Sequence, residues 1–379
     1  MIIGVIFFHG LLMTFADHSE ITTSFNIMVA LFPFLLNVFF FYAGYNYAPN
    51  GRTYGQNVAR RAKQLLIPLV LALTISVVVI GAMEIAFDHA DPGARFRDFG
   101  NSVLYGLMSE PLAQMIGFPQ QGSIVFELML SLGLLWFLYA LFLCSLAFYW
   151  LVKYTNKRLS TLVSVVALLL VVSFCLGQFV GPYLPYSVQC YPVVLAVMLT
   201  GAYLRQSQFL DRDLTSKKDI AFATANALIA EGIIVGTAFL CNALFGGITT
   251  GSMMGGKFDS ALRGFDAFIC FGFGILGTYF LHTLCRLIVR VPFFGKGIGW
   301  IGTHSAFFYL FHPIFLDLVA IVVFQKRVLW GKAQALFYVV VVVALMVGVC
   351  LLIDFILKKR KKNKPLKEAS SQEGETKGE

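Results

Sequence analysis

Apolar runs of about 18 residues or more recur along this chain, each long enough to cross about 30 Å of hydrocarbon as helix at about 1.5 Å per residue. Few architectures are open to such a sequence. Inside a bilayer every backbone N–H and C=O must be bonded within the protein, and only helices and closed barrels achieve that. Barrel strands alternate apolar and polar residues in short segments, and that pattern does not appear here. The charged share is 13%, with 58% hydrophobic residues, against about 25% charged in soluble domains. That leaves too little polar surface to coat a water-soluble globule. The sequence therefore predicts an all-α, polytopic membrane helix bundle.

The apolar runs place spans at roughly 1–16, 27–47, 64–87, 125–152, 160–180, 188–205, 219–245, 264–286, 303–324 and 334–357. Basic residues follow every second span: Arg52, Arg60, Arg61 and Lys63; Lys153, Lys157 and Arg158; Arg205, Arg212, Lys217 and Lys218; Arg286, Arg290 and Lys296; and a cluster from Lys358 to Lys364. Lys326 and Arg327 are the exception to this alternation. The positive-inside rule then predicts about ten spans with both ends in the cytoplasm, N-in and C-in. The same topology accounts for the net charge of +9, so nucleic acid is not expected as a partner and contact with membrane lipids is. Two regions follow: a transmembrane domain over 1–358, and a basic and polar cytoplasmic tail over 359–379, expected to be disordered for want of large apolar residues. The loop from Asp88 to Gly122 reads as an external segment packed back on the bundle in preference to a lid.

The seven cysteines show neither a CxxC pair nor zinc-ligand spacing. They read as small buried hydrophobes, and no metal site is expected. P-loop, serine-hydrolase elbow and dinucleotide-binding glycine patterns are also absent. Chemistry must come from the few ionisable groups inside spans, because a charge at mid-bilayer is costly and by default functional. These are His9 in the first span, Glu127 opening the fourth, Glu231 in the seventh, Asp266 and His282 in the eighth, His312 and Asp317 in the ninth, and Asp354 near the inner end of the tenth. His9 and His312 each lie about nine or ten residues from the inner end of their span, near mid-depth, where neutral imidazole is favoured and can serve as a base. A core histidine donating one hydrogen bond is an equally good account of either taken alone.

Four segments together carry a resemblance. They are Phe7-Phe8-His9, Val38-Phe39-Phe40-Phe41-Tyr42-Ala43-Gly44-Tyr45, Arg60-Arg61-Ala62-Lys63-Gln64-Leu65-Leu66-Ile67-Pro68, and Gly302-Thr303-His304-Ser305-Ala306-Phe307-Phe308-Tyr309-Leu310-Phe311-His312, with Leu135-Trp136-Phe137-Leu138 adding to them. In their order and spacing they resemble the membrane acyltransferase 3 family, which moves acyl groups from coenzyme A to sugars or lipids at the cell surface. The resemblance implies an O-acyltransferase in a bacterial-type cytoplasmic membrane. Its donor would be acyl-CoA, in the first place acetyl-CoA, with no permanently bound cofactor. Its acceptor would be surface polysaccharide, peptidoglycan or a lipid-linked sugar. His9 matches the family's first-span histidine, as catalytic base or acyl relay. Arg60, Arg61 and Lys63 match its basic cluster, suited to coenzyme A phosphates. Tyr309 and His312 match its late pocket-lining motif, and Tyr45, Glu127 and Trp136 are further candidates for the substrate pocket. Lys63 stands where the family tends to repeat an Arg, which keeps charge but loses the guanidinium fork. The family's Arg about ten residues before the first-span His would precede Met1. From another class, a proton-coupled secondary transporter also suits ten spans with Glu231, Asp266 and His312 at depth.

Overall fold

The computed structural model describes residues 2–6, 33–48, 51–88, 136–180, 188, 190–210, 214–245, 263–324 and 332–375. Among these, the regular structure is all helical and no strand occurs. A short helical stretch at 2–6 precedes α1 (Leu35–Tyr45), α2 (Tyr54–Asp88), α3 (Trp136–Thr155) and α4 (Leu159–Cys175), which continues as a π-helical turn, Leu176–Val180. Then follow α5 (Tyr191–Gln206), α6 (Lys217–Phe245), α7 (Asp266–Ile288), α8 (Pro292–Thr303), α9 (Ser305–Phe324) and α10 (Lys332–Glu375). Among the described residues, five helical segments are long and apolar enough to cross a membrane: Phe137–Thr155, Leu159–Val180, Lys217–Cys241, Asp266–Ile288 and Leu336–Ile356. Leu35–Tyr45 and Ser305–Leu316 are shorter apolar helices.

The helix starts are encoded locally. Before α2, Thr53 and Gln56 bond reciprocally, Gln56 N–H to Thr53 Oγ1 at 3.3 Å and Thr53 N–H to Gln56 Oε1 at 3.0 Å. This capping box satisfies donors that a bare helix end would leave open. It also starts the helix ten residues before the apolar run at 64, which puts Arg60, Arg61 and Lys63 on helix and not on a connection. Ser216 and Asp219 form the same device before α6. Pro192 and Pro292 occupy first-turn positions of α5 and α8, where the missing N–H is not needed. The helix α8 lies between two expected spans, in a segment where the apolar-run reading places only a basic connection.

Helix α5 is the axis of the bundle. Val193 to Leu199, Gly201 and Ala202 are buried on all sides, as expected of a helix that is apolar all round. It packs on α1, α3, α4 and α7. Its closest neighbour is α1, because Gly44 faces the backbone of Met198 and Gly201 faces the carbonyl of Phe41. Facing glycines let helix backbones approach where a methyl group would hold them apart. On the periphery the polarity is reversed: Phe222, Leu228 and Ile229 on α6, and Phe337, Leu351, Leu352 and Phe355 on α10, are exposed. Large apolar side chains covering whole outer faces suit hydrocarbon and not water. This chain is a membrane protein.

Candidate functional site

Buried polar residues identify where this core is not simply packing. Ser145, Thr155 and Thr278 each return a hydroxyl hydrogen to the carbonyl four residues earlier, Leu141, Leu151 and Gly274. Such groups are satisfied by their own helix and need no further account. Asn37, Asp266 and His312 are different, and they fall in two places.

The first place is an aromatic cluster where α1, α3 and α9 meet. Phe137 lies 5.3 Å from Phe39 and 5.3 Å from Tyr309 between ring centroids. Tyr309 in turn lies 5.7 Å from His312. His312 is fully buried, and its Nδ1 stands 2.6 Å from the Tyr309 carbonyl. A carbonyl only accepts, so Nδ1 carries the proton and Nε2 keeps the lone pair. The stretch 2–6 approaches the same side: Gly4 faces Leu35, one helical turn from Phe39, and Ile2, Val5 and Ile6 join the same core. Tyr309 and His312 are thus brought together. Trp136 opens α3 directly before Phe137, while its side chain lies outside the described set, as do His9 and Glu127.

The second place, where α1 meets the first turns of α7, is formed by Asn37 and Asp266. The Asn37 amide donates to the Cys270 carbonyl at 3.0 Å, and the Cys270 thiol lies 3.8 Å from Asp266 Oδ1. Asn37 Oδ1 and Asp266 Oδ2 are both buried without a hydrogen-bond partner among the described residues. Each such buried acceptor costs about 1–3 kcal/mol.

At the far end of the bundle lies a basic rim. Arg60 and Lys63 are exposed on α2. Arg61 is half-buried and its Nε donates to the Tyr149 hydroxyl at 2.9 Å. Tyr149 lies 5.7 Å from Tyr47, and just before it on the chain Tyr45 is buried in stacking contact with Phe41. Arg205 donates from Nη1 to the Tyr45 carbonyl at 2.9 Å. Beside them His282 Nε2 and Arg286 Nη1 both reach the Leu210 carbonyl at 2.9 Å. That contact makes Nε2 the protonated nitrogen of His282, so its Nδ1 accepts from the Tyr42 hydroxyl at 2.6 Å. Tyr45 thus meets this rim through its carbonyl, with its ring stacked on Phe41. Sequence reading took Arg205 and Arg286 as topological markers and did not select Tyr42 or Tyr149 as partners. The available signal was an Arg or His in the last turns of α5 and α7, with tyrosines closing α1 and α3.

Among the described residues no group of three or more His, Cys, Asp or Glu is placed to hold a metal ion. Compared with known proteins, the chain matches a family model described as an acyltransferase domain over residues 1–355. Neither a curated protein nor a solved structure matches it.

Proposed function

This chain belongs to the acyltransferase 3 family, and we propose on that premise that it moves an acetyl or other short acyl group from cytosolic acyl-CoA to a hydroxyl of a cell-surface glycan or lipid-linked sugar. Family membership over 1–355, on a bundle whose outer faces are apolar, makes it a membrane acyltransferase. The observation that carries the proposal is the basic rim. Arg60, Arg61 and Lys63 lie in the first turns of α2, with Arg61 bonded to Tyr149 of α3. Arg205 in the last turn of α5 holds the Tyr45 carbonyl at the end of α1, and Arg286 lies in the last turn of α7. Guanidinium forks match the phosphates and pyrophosphate of coenzyme A. In this reading the chain crosses a bacterial-type cytoplasmic membrane about ten times, N-in and C-in, with the rim on the cytoplasmic side.

The chemistry follows from that orientation. The donor's nucleotide end rests on the rim and its thioester reaches inward between α1, α3 and α9, toward Phe39, Phe137, Tyr309 and His312. His9 takes the proton of an acceptor hydroxyl as its oxygen attacks the thioester carbonyl. The C–S bond then breaks, the proton passes to the departing thiolate, and coenzyme A leaves as its thiol. His312, its Nδ1 proton held by the Tyr309 carbonyl, lines the pocket with its second nitrogen. The test is coenzyme A release from acetyl-CoA by the purified chain in nanodiscs. Wild type should turn over, His9→Ala should insert normally and lose transfer, and full activity in His9→Ala would remove His9 from the mechanism.

A further inference from the structure

We propose that Asp266 and Asn37 form an acceptor-binding subsite for two neighbouring hydroxyls of a sugar ring, an inference that rests on the transferase reading above. Asp266, Cys270 and Gly274 recur every four residues and so share one face of α7. Asn37 of α1 is clamped against that face: its amide is bonded to the Cys270 carbonyl, and its Cβ lies tight against Gly274. The clamp fixes the amide nitrogen on the Cys270 carbonyl and leaves Oδ1 directed away from it. Asp266 stands one turn further along, about 5.4 Å by helical pitch. One of its oxygens faces the Cys270 thiol and the other is without a partner among the described residues. Among the described residues no donor reaches either Asn37 Oδ1 or Asp266 Oδ2.

Two buried acceptor oxygens, on separate helices and held in place by packing, are an arrangement that a core built only for stability would not keep. What they lack is a pair of O–H donors about one helical turn apart or less, and adjacent hydroxyls of a pyranose provide that. Position supports the same reading. Cys270 is about 24 Å along α7 from Arg286 at about 1.5 Å per residue, so the subsite lies toward the end of the bundle away from the basic rim. On this proposal donor and acceptor approach from opposite ends of α7, the donor at the basic rim.

The experiment compares wild type, Asp266→Leu, Asp266→Asn and Asn37→Leu as full chains in nanodiscs. Labelled acetyl-CoA is the donor, and N-acetylglucosamine or glycerol the acceptor probe. Three quantities are read: acetyl-CoA KM, coenzyme A release to water, and acceptor KM. Asp266→Leu removes an unpartnered acceptor, so a purely structural role predicts equal or higher thermal stability there. Asn37→Leu also gives up the bond to the Cys270 carbonyl, so a purely structural role predicts lower stability, with acetyl-CoA and acceptor kinetics unchanged in both. The subsite predicts an acceptor KM for N-acetylglucosamine raised tenfold or more in both leucine variants. Donor KM and release to water should stay within twofold, and Asp266→Asn, which keeps an oxygen in place, should fall between. Should a leucine variant fail to insert, Asp266→Asn decides alone. Unchanged acceptor KM, a parallel loss of donor and acceptor kinetics, or wild-type coenzyme A release with transfer to neither probe overturns the subsite while leaving the transferase reading intact. Absence of any acetyl-CoA turnover in wild type overturns that reading, and the subsite with it.

Discussion

Gly44 meets the backbone of Met198 with no room for a side chain between them, and a Cβ built there would overlap the Met198 carbonyl. Gly201 faces Phe41 in the same way from the other helix. Gly44→Ala should therefore force α1 and α5 apart and destabilise the bundle by about 1–3 kcal/mol, the usual range for overpacking. Gly232 and Gly236 on α6 have open space at the corresponding position. Alanine there should be neutral, or stabilising by about 0.5–1 kcal/mol through helix propensity. Thermal unfolding in detergent separates the cases, and equal stability of Gly44→Ala and Gly232→Ala would refute the close crossing.

The basic rim gives a graded prediction. Arg60 is exposed while Arg61 is held by the Tyr149 hydroxyl at 2.9 Å. Arg60→Ala should raise acetyl-CoA KM several-fold with no change in unfolding temperature. Arg61→Ala should do both, because it also strips Tyr149 of its partner. Tyr149→Phe should reproduce the stability loss, about 1 kcal/mol for one hydrogen bond, with a smaller effect on KM. If Arg60→Ala and Arg61→Ala leave saturable coenzyme A binding unaltered, the rim is an anchor for lipid headgroups instead.

How much of this was legible beforehand depended on the kind of signal. The spans expected at 160–180, 219–245 and 264–286 lie within a few residues of helical segments 159–180, 217–245 and 266–288, because a long apolar run has only one way to satisfy its backbone in a bilayer. The start of α2 was displaced because Thr53 and Gln56 are polar, and their reciprocal bonding is a feature of local geometry and not of hydropathy. The helix α8 was hidden for a related reason: four glycines among its twelve residues lower helix propensity, and its apolar length is too short for a span. Within the site, Tyr309 and His312 were found by motif and are in fact neighbours. The pairing of Asn37 with Cys270 joins residues 233 apart in sequence, and single-sequence reading holds no information about which helix faces which.

The contact between His304 and Asp354 closes α10 onto the junction of α8 and α9. Nε2 lies 3.2 Å from one carboxylate oxygen, and Nδ1 lies 2.8 Å from the Trp300 carbonyl. About a quarter of each side chain remains exposed, so solvent screens the pair and its worth should be below about 1 kcal/mol. A double-mutant cycle with His304→Asn and Asp354→Asn should return a coupling of that size, shrinking further as salt is raised. A coupling of several kcal/mol, insensitive to salt, would show that the pair is buried in the working protein.

His312 allows stability and activity to be separated. Removing the ring entirely, in His312→Ala, leaves a cavity in a packed helix interface and withdraws the donor from the Tyr309 carbonyl. The expected loss is about 2–4 kcal/mol, the range for large-to-small core changes. His312→Asn places an amide N–H close to where Nδ1–H stands, so it should recover most of that stability. It does not supply the second ring nitrogen. A histidine that only ties α9 together would give an active Asn variant. A histidine that lines the acyl pocket gives one that unfolds near the wild-type temperature yet releases coenzyme A at least tenfold more slowly, and we expect the second result.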